Sequence, residues 1–158
     1  MQFRYATKED CGKILFFIKQ LAAYEHMQDD VCATEKLLEE WIFEKGKAKV
    51  IFALEDQKEV GFALYFYNFS TFLGRAGIYL EDLFVLPEYR GKGYGKGLLR
   101  KLASIAHGEG CGRLEWCCLD WNKPSIDFYR SLGACSLDEW TIYRLTGDTL
   151  CANAKEEL

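Results

Sequence analysis

The chain has 158 residues, enough for one domain (1–158) with a substantial core, and its 49% hydrophobic and 28% charged residues are ordinary for a water-exposed globular protein. A formal charge of −4 argues against general nucleic-acid binding, and the absence of any run near ~18 apolar residues or of a basic, apolar leader after Met1 argues against a membrane or export role. Seven irregularly spaced cysteines without a C-x-x-C suit reduced thiols in the cytoplasm, and two histidines leave little from which to build a metal site.

Gln2 to Ala6 reads as a short first strand. Thr7-Lys8-Glu9-Asp10 then sets an N-cap residue three positions ahead of an acid, similar to a capping box. Cys11, Ile14, Leu15, Ile18, Leu21 and Ala22 recur at helical spacing and predict a helix to about Tyr24. A second helix is expected from Thr34, carrying Leu37, Leu38 and Trp41. Lys49–Glu55 and Glu59–Phe69 predict a hairpin turning at Asp56-Gln57-Lys58. The run Val60 to Tyr67 is apolar almost throughout, as in a central strand covered on both faces.

Gly77–Leu86 is the next expected strand, followed by a glycine-rich loop and a helix to about His107. That helix carries the stripe Leu98, Leu99, Leu102, Ile105 and Ala106 and is ended by Gly108, Gly110 and Gly112. Arg113–Leu119 reads as a strand, Ser125–Leu132 as a short helix closed by Gly133, and Trp140–Leu145 as a final strand. The tail from Thr146 is weakly amphipathic. This order predicts an α/β protein with a mixed sheet and helices on both faces.

The loop Arg90-Gly91-Lys92-Gly93-Tyr94-Gly95-Lys96-Gly97 is the strongest local signal. Glycines at a helix start allow close approach, the first N–H groups have no intrahelical acceptor, and the helix dipole favours an anion there. Arg90, Lys92, Lys96, Arg100 and Lys101 add positive charge around the same spot. The spacing matches neither the dinucleotide fingerprint nor the P-loop. It reads as a phosphate cradle.

Two further features carry chemistry. Glu81 and Asp82 interrupt an apolar strand, an expensive place for two charges unless it is an exposed edge. Strict alternation points them to opposite faces, unless a bulge re-aims one. Tyr129 is a phenol, protonated at neutral pH and able to donate a proton. Cys117 and Cys118 lack an evident histidine neighbour, which disfavours a route through an acyl-cysteine.

Arg90-Gly91-Lys92-Gly93-Tyr94-Gly95 resembles the R/Q-x-x-G-x-G/A signature of the GNAT superfamily of N-acetyltransferases. Ala22-Ala23-Tyr24-Glu25, Tyr79-Leu80-Glu81-Asp82, Val85 to Gly91 and Trp121 to Tyr129 resemble its spermidine/spermine (diamine) branch. Ser70-Thr71 and Leu119-Asp120-Trp121-Asn122 are similar instead to the thialysine branch. The resemblance implies a GNAT fold, mostly antiparallel with a splayed pair of strands. It implies acetyl-CoA as co-substrate, no metal, a small amine acceptor and a homodimer. It implies that Arg90, Gly91, Lys92, Gly93, Tyr94, Gly95 and Lys96 hold the diphosphate, with Phe84 and Val85 on the pantetheine and Asn122, Ser125 and Tyr129 also on the cofactor. Glu81 is then the base, acting through water, and Tyr129 the acid toward the thiolate. Tyr24, Glu25, Glu81, Asp82, Ser70 and Thr71 face the substrate. A polyamine, diamine or lysine-like amine is the expected acceptor, attacked directly in a ternary complex. The alternatives are another amine (a protein lysine, an N-terminus, an aminoglycoside) or a CoA-binding regulator without catalysis.

Overall fold

Five strands form one sheet in the computed structural model, which describes residues 1–155, in the order β1-β2-β3-β4-β5. They are β1 Gln2–Tyr5, β2 Lys49–Glu55, β3 Lys58–Ser70, β4 Arg75–Val85 and β5 Leu114–Trp116. The first three pairings are antiparallel, and β4 with β5 is parallel. As its apolar run predicts, β3 is the middle strand, with Val60, Phe62, Ala63 and Tyr65 fully buried. The β2–β3 turn takes only Asp56 and Gln57, both in the left-handed region (φ 50° and 65°), so Lys58 already belongs to the strand.

Helices α1 (Cys11–Tyr24) and α3 (Tyr94–Gly108) cover opposite faces of this sheet. On the α1 face, Ile14 and Phe17 pack with Val50, Phe52, Phe62 and Phe84. The Phe17 ring stacks on Phe62 at 5.2 Å and lies 5.8 Å from Phe52. Phe17 stands outside the stripe expected for this helix, yet it is its principal core residue. On the other face, Leu98 approaches Gly61, and Gly95 lies against Leu83 and Val85. The expected α3 stripe is buried at Leu98, Leu99, Leu102 and Ala106.

The entry to α1 is fixed by charge. Thr7 and Asp10 form the expected capping box around a 3₁₀ turn at Lys8–Asp10. The buried Asp10 carboxylate accepts from both Arg4 terminal nitrogens (2.7 and 2.8 Å) and from the Thr7 N–H (2.8 Å). Glu59 on β3 receives Lys13 at 2.7 Å and also pairs with Arg4. The Arg4 hydrogen bonds hold the Asp10 carboxyl well below the usual carboxylate range, against the opposing effect of burial.

The second helix starts where expected but does not continue as expected. Thr34 accepts the Leu37 N–H at 3.2 Å and caps α2 (Glu35–Leu38), which widens into a π-helical stretch, Glu39–Glu44. The wider turn buries Ile42 and leaves Trp41 exposed beneath the Lys45 ammonium, 3.7 Å from its ring centroid.

The described residues divide into two compact units, Met1–Cys117 and the chain from Cys118 onward. The second unit holds α4 (Lys123–Ser131) and α5 (Gly147–Lys155). Asn122 caps α4, its side-chain oxygen accepting the Ser125 N–H at 3.3 Å, and Gly133 closes it at φ 86°. Two expected strands are corrected. Arg113–Leu119 is a strand only over Leu114–Trp116, and Trp140–Leu145 forms no regular element among the described residues. Alternating apolar residues supply strand propensity, but a strand exists only where a neighbouring edge bonds it. Here Trp140, Ile142 and Tyr143 remain exposed.

Candidate active site

The β3–β4 ladder contains the irregularity on which the site turns. Tyr65 lies opposite Leu80 and Leu64 opposite Asp82, so Glu81 is opposite no residue and forms a bulge. Leu64 packs on the α1 face, and adjacent Tyr65 points to the other. Cross-strand partners share a face, so Leu80 points toward α3, whereas Asp82 and Phe84 point toward α1. The parallel ladder with β5 ends at the same place, pairing Leu80 with Trp116 and going no further. From Glu81 to Val85 the only strand paired with β4 among the described residues is β3. The Leu86 N–H bonds the Val60 carbonyl at 2.9 Å. By alternation Phe84 also turns its main chain to β3, and Leu83 and Val85 turn theirs to the open edge. Phe84, expected on the pantetheine, thus directs its main-chain groups to Phe62, and Leu83 is the neighbour whose groups face the open edge. The alternation rule, applied to the sequence with the bulge located, would have found Leu83.

Asp82 faces a cavity of about 350 Å³ at the end of α1. Ile18, Leu21, Ala22, Met27 and Val31 provide an apolar lining, into which Glu25, Asp30 and Asp82 bring carboxylates. Among the described residues no lysine, arginine or histidine lines it. Burial, with smaller contributions from the Glu81 and Glu25 charges, raises the half-buried Asp82 carboxyl to about 7. Burial raises Glu25 as well. Tyr24 ends α1 with its ring 6.4 Å from that of Phe84. Glu25 follows as the C-cap, its N–H bonding the Leu21 carbonyl at 2.9 Å. Helix termination thus aims two neighbouring expected residues at the site, and His26 (φ 60°) and the 3₁₀ turn Gln28–Asp30 close it.

The glycine loop joins this strand to α3. Gly91 (φ 76°) and Gly93 (φ 88°) are both left-handed, the second as the α3 N-cap. Space around Gly91 is open to 4 Å. The first backbone bond of α3 runs from Gly97 to the Gly93 carbonyl, so the N–H groups of Tyr94, Gly95 and Lys96 have no acceptor in the helix. These groups fit a diphosphate. Lys92 pairs with Glu55 at 3.4 Å, and the Tyr94 hydroxyl donates to the same carboxylate at 2.9 Å. Gly97 serves packing instead, because a Cβ there would meet Met1 and the Phe3 ring.

Tyr24, Glu25, Glu81, Asp82, Arg90 and the loop are thus gathered at one end of the first unit. Ser70 and Thr71 are not. Ser70 pairs with Arg75 at the far end of β4, seven residues from Asp82 along the strand, or roughly 20 Å. The Ser70 hydroxyl accepts the Leu73 N–H at 3.2 Å and shapes the hairpin tip. Asn122, Ser125 and Tyr129 belong to the second unit, on or beside α4. Among the described residues no group of three or more His, Cys, Asp or Glu side chains is disposed to hold a metal ion. None of the described helices is long and apolar enough to cross a membrane.

The model of the Acetyltransferase (GNAT) family matches residues 13–134. The thialysine N-epsilon-acetyltransferase of Bos taurus is 38% identical, over 95% of each chain. The spermidine/spermine N(1)-acetyltransferase-like protein 1 of Homo sapiens is 33% identical over 99% of this chain and 24% of its own length. Among solved structures, an integron cassette protein from V. cholerae superposes with a TM-score of 0.82 at 33% identity, covering 98% of both chains.

Proposed function

The chain belongs to the GNAT acetyltransferase family and is an N-acetyltransferase, and we propose that it moves an acetyl group from acetyl-CoA to the primary amine of a small polyamine, diamine or lysine-like molecule. One catalytic domain spans both compact units in this reading, supported by the family match from residue 13 to residue 134. The observation that carries the substrate class is the cavity lined by Glu25, Asp30 and Asp82, with no cationic side chain in its lining among the described residues. Such a lining attracts a chain of ammonium groups and repels a carboxylate. A diamine or polyamine satisfies it directly, and a lysine-like substrate fits with its carboxylate outside.

The thioester supplies the acetyl group. The protein's own work begins with the diphosphate, taken by the N–H groups from Gly91 to Lys96 with Lys92 and Lys96 adding charge. Leu83 and Val85 offer main-chain groups on the open edge of β4 to the pantetheine. Asn122 and Ser125 complete the cofactor contacts, and Tyr24 and Glu25 orient the acceptor. An amine of ordinary lysine-like pKa must lose a proton at a cost of roughly 4–5 kcal/mol at neutral pH. Glu81, exposed at the bulge, takes that proton through water, and ionised Asp82 holds the ammonium end. A second assignment follows from the bulge that turns Asp82 into the cavity: burial there raises its carboxyl to about 7, which suits proton transfer at neutral pH. The Tyr129 hydroxyl returns a proton to the departing sulfur. Attack is direct, in a ternary complex in the cytoplasm. A homodimer belongs to this reading on the family resemblance alone.

A thiol-release assay with acetyl-CoA and an amine panel tests the proposal. Release with spermidine, diamines, thialysine or lysine supports it. Release only with a protein, an N-terminus or an aminoglycoside moves the acceptor to another amine. CoA binding without release marks a regulatory protein instead.

A further inference from the structure

Arg90 opens the glycine loop, and its guanidinium is engaged by β4 and by the end of α1. Nε donates to the Val85 carbonyl at 3.0 Å. The guanidinium carbon also lies 4.8 Å from the Tyr24 ring centroid and 5.0 Å from that of Phe84. One planar cation therefore touches the last residue of α1, the open edge of β4 and, through its own backbone, the loop.

That backbone is extended (φ −69°, ψ 159°) and leads directly into left-handed Gly91, so the residue that carries the guanidinium is the loop's immediate neighbour in the chain. At the other end, Tyr24 immediately precedes Glu25, which lines the amine cavity. We propose that Arg90 is a positioning residue coupling the two substrates: settling of the carrier in the loop fixes the guanidinium against Tyr24 and so orders the mouth of the amine pocket. The inference rests on the proposed acetyl-CoA reading of the loop. It gives Arg90 a role distinct from neutralising phosphate. Lysine does not replace it, because an ammonium on a flexible stem lacks the flat fork that meets the carbonyl and both rings together.

Hydrogen–deuterium exchange with and without saturating CoA tests the coupling without needing to know the amine. In the wild-type chain, CoA slows exchange at residues 91–96 and also at residues 23–27, the latter by about tenfold. In Arg90→Lys, CoA still protects 91–96, but protection at 23–27 is lost. Tyr24→Leu cuts the same contact from the other side and gives the same loss, so the test survives if one variant folds poorly. Once an amine substrate is known, Arg90→Lys raises its KM about tenfold with CoA affinity held within about threefold, a split that general loosening of the fold does not produce. Wild-type exchange at 23–27 indifferent to CoA, or protection there that survives both substitutions, overturns this inference alone. A wild-type chain whose residues 91–96 are also indifferent to CoA overturns the carrier reading and this inference with it.

Discussion

Asp82 stands opposite Leu64 across the β3–β4 ladder. In an unbroken register Leu64 would face Glu81, and Asp82 would face Ala63 and point toward α3. The single extra residue sends Asp82 to the α1 side, where it meets the end of that helix and the cavity beneath it. The same bulge marks where β4 parts from β5.

The position of Asp82 has a pH signature. Its carboxyl is raised to about 7 in the fold, above the ordinary unfolded value of about 3.9, so ionising it opposes folding. Stability attributable to this group is fully present below about pH 4 and declines as pH rises through 7. Asp82→Asn should therefore match the parent in acid and exceed it by on the order of 2 kcal/mol above pH 7. Urea denaturation at several pH values checks this; a constant offset at every pH would remove burial as the cause.

Transfer kinetics separate the two carboxylates. If Glu81 is the base, Glu81→Gln makes activity depend more steeply on alkaline pH, while Asp82→Asn chiefly raises the amine KM. If Asp82 is the base, the limb of the pH–rate profile near 7 disappears in Asp82→Asn and persists in Glu81→Gln. Tyr129→Phe should lower kcat by roughly 10²-fold or more with little change in CoA affinity, as expected when a proton donor is lost.

The glycines of the loop divide by role. Gly91→Ala places a side chain at a left-handed position open to the proposed diphosphate, and should weaken CoA binding about tenfold. Gly97→Ala presses on Phe3 and should cost about 1–3 kcal/mol of stability with CoA affinity preserved. Calorimetric titration and thermal denaturation of both variants read the two effects separately.

The charge cluster at the start of α1 predicts the opposite pH behaviour to Asp82. Asp10 is held below the usual carboxylate range, first by its hydrogen bonds from Arg4. Its contribution is present above about pH 4 and lost as pH falls through its lowered native value. Asp10→Asn should cost about 2–3 kcal/mol near neutrality, and the difference should shrink in acid. Denaturation midpoints of the two proteins between pH 2 and 7 provide the check.

Much of this was readable from residue order because local chemistry dictated it. Thr7 to Asp10, the apolar run of β3 and the glycines before α3 each encode their element within a few residues. What escaped depended on pairing. Alternation alone could not say whether Glu81 or Asp82 would be skipped, since register is a property of two strands together. Phe17, by contrast, was legible, since it follows Ile14 by three residues and precedes Leu21 by four, and the rings of Phe52 and Phe62 hold it in the core. Trp140–Leu145 carries a strand pattern without a bonded neighbour among the described residues. Ser70 and Thr71 are close to Glu81 in sequence but lie beyond most of β4, because the hairpin between them reverses direction. The Asp30 wall of the pocket gave no pattern by which to be recognised; it is brought there by the turn after α1.

The most direct measurement is a crystal structure of the chain with CoA and a diamine. The account predicts the diphosphate on the N–H groups between Gly91 and Lys96, the pantetheine along the open edge at Leu83 and Val85, and an amine nitrogen within hydrogen-bonding distance of Asp82. A carrier bound away from that turn, or an amine seated elsewhere with the Asp82 cavity empty, would contradict it.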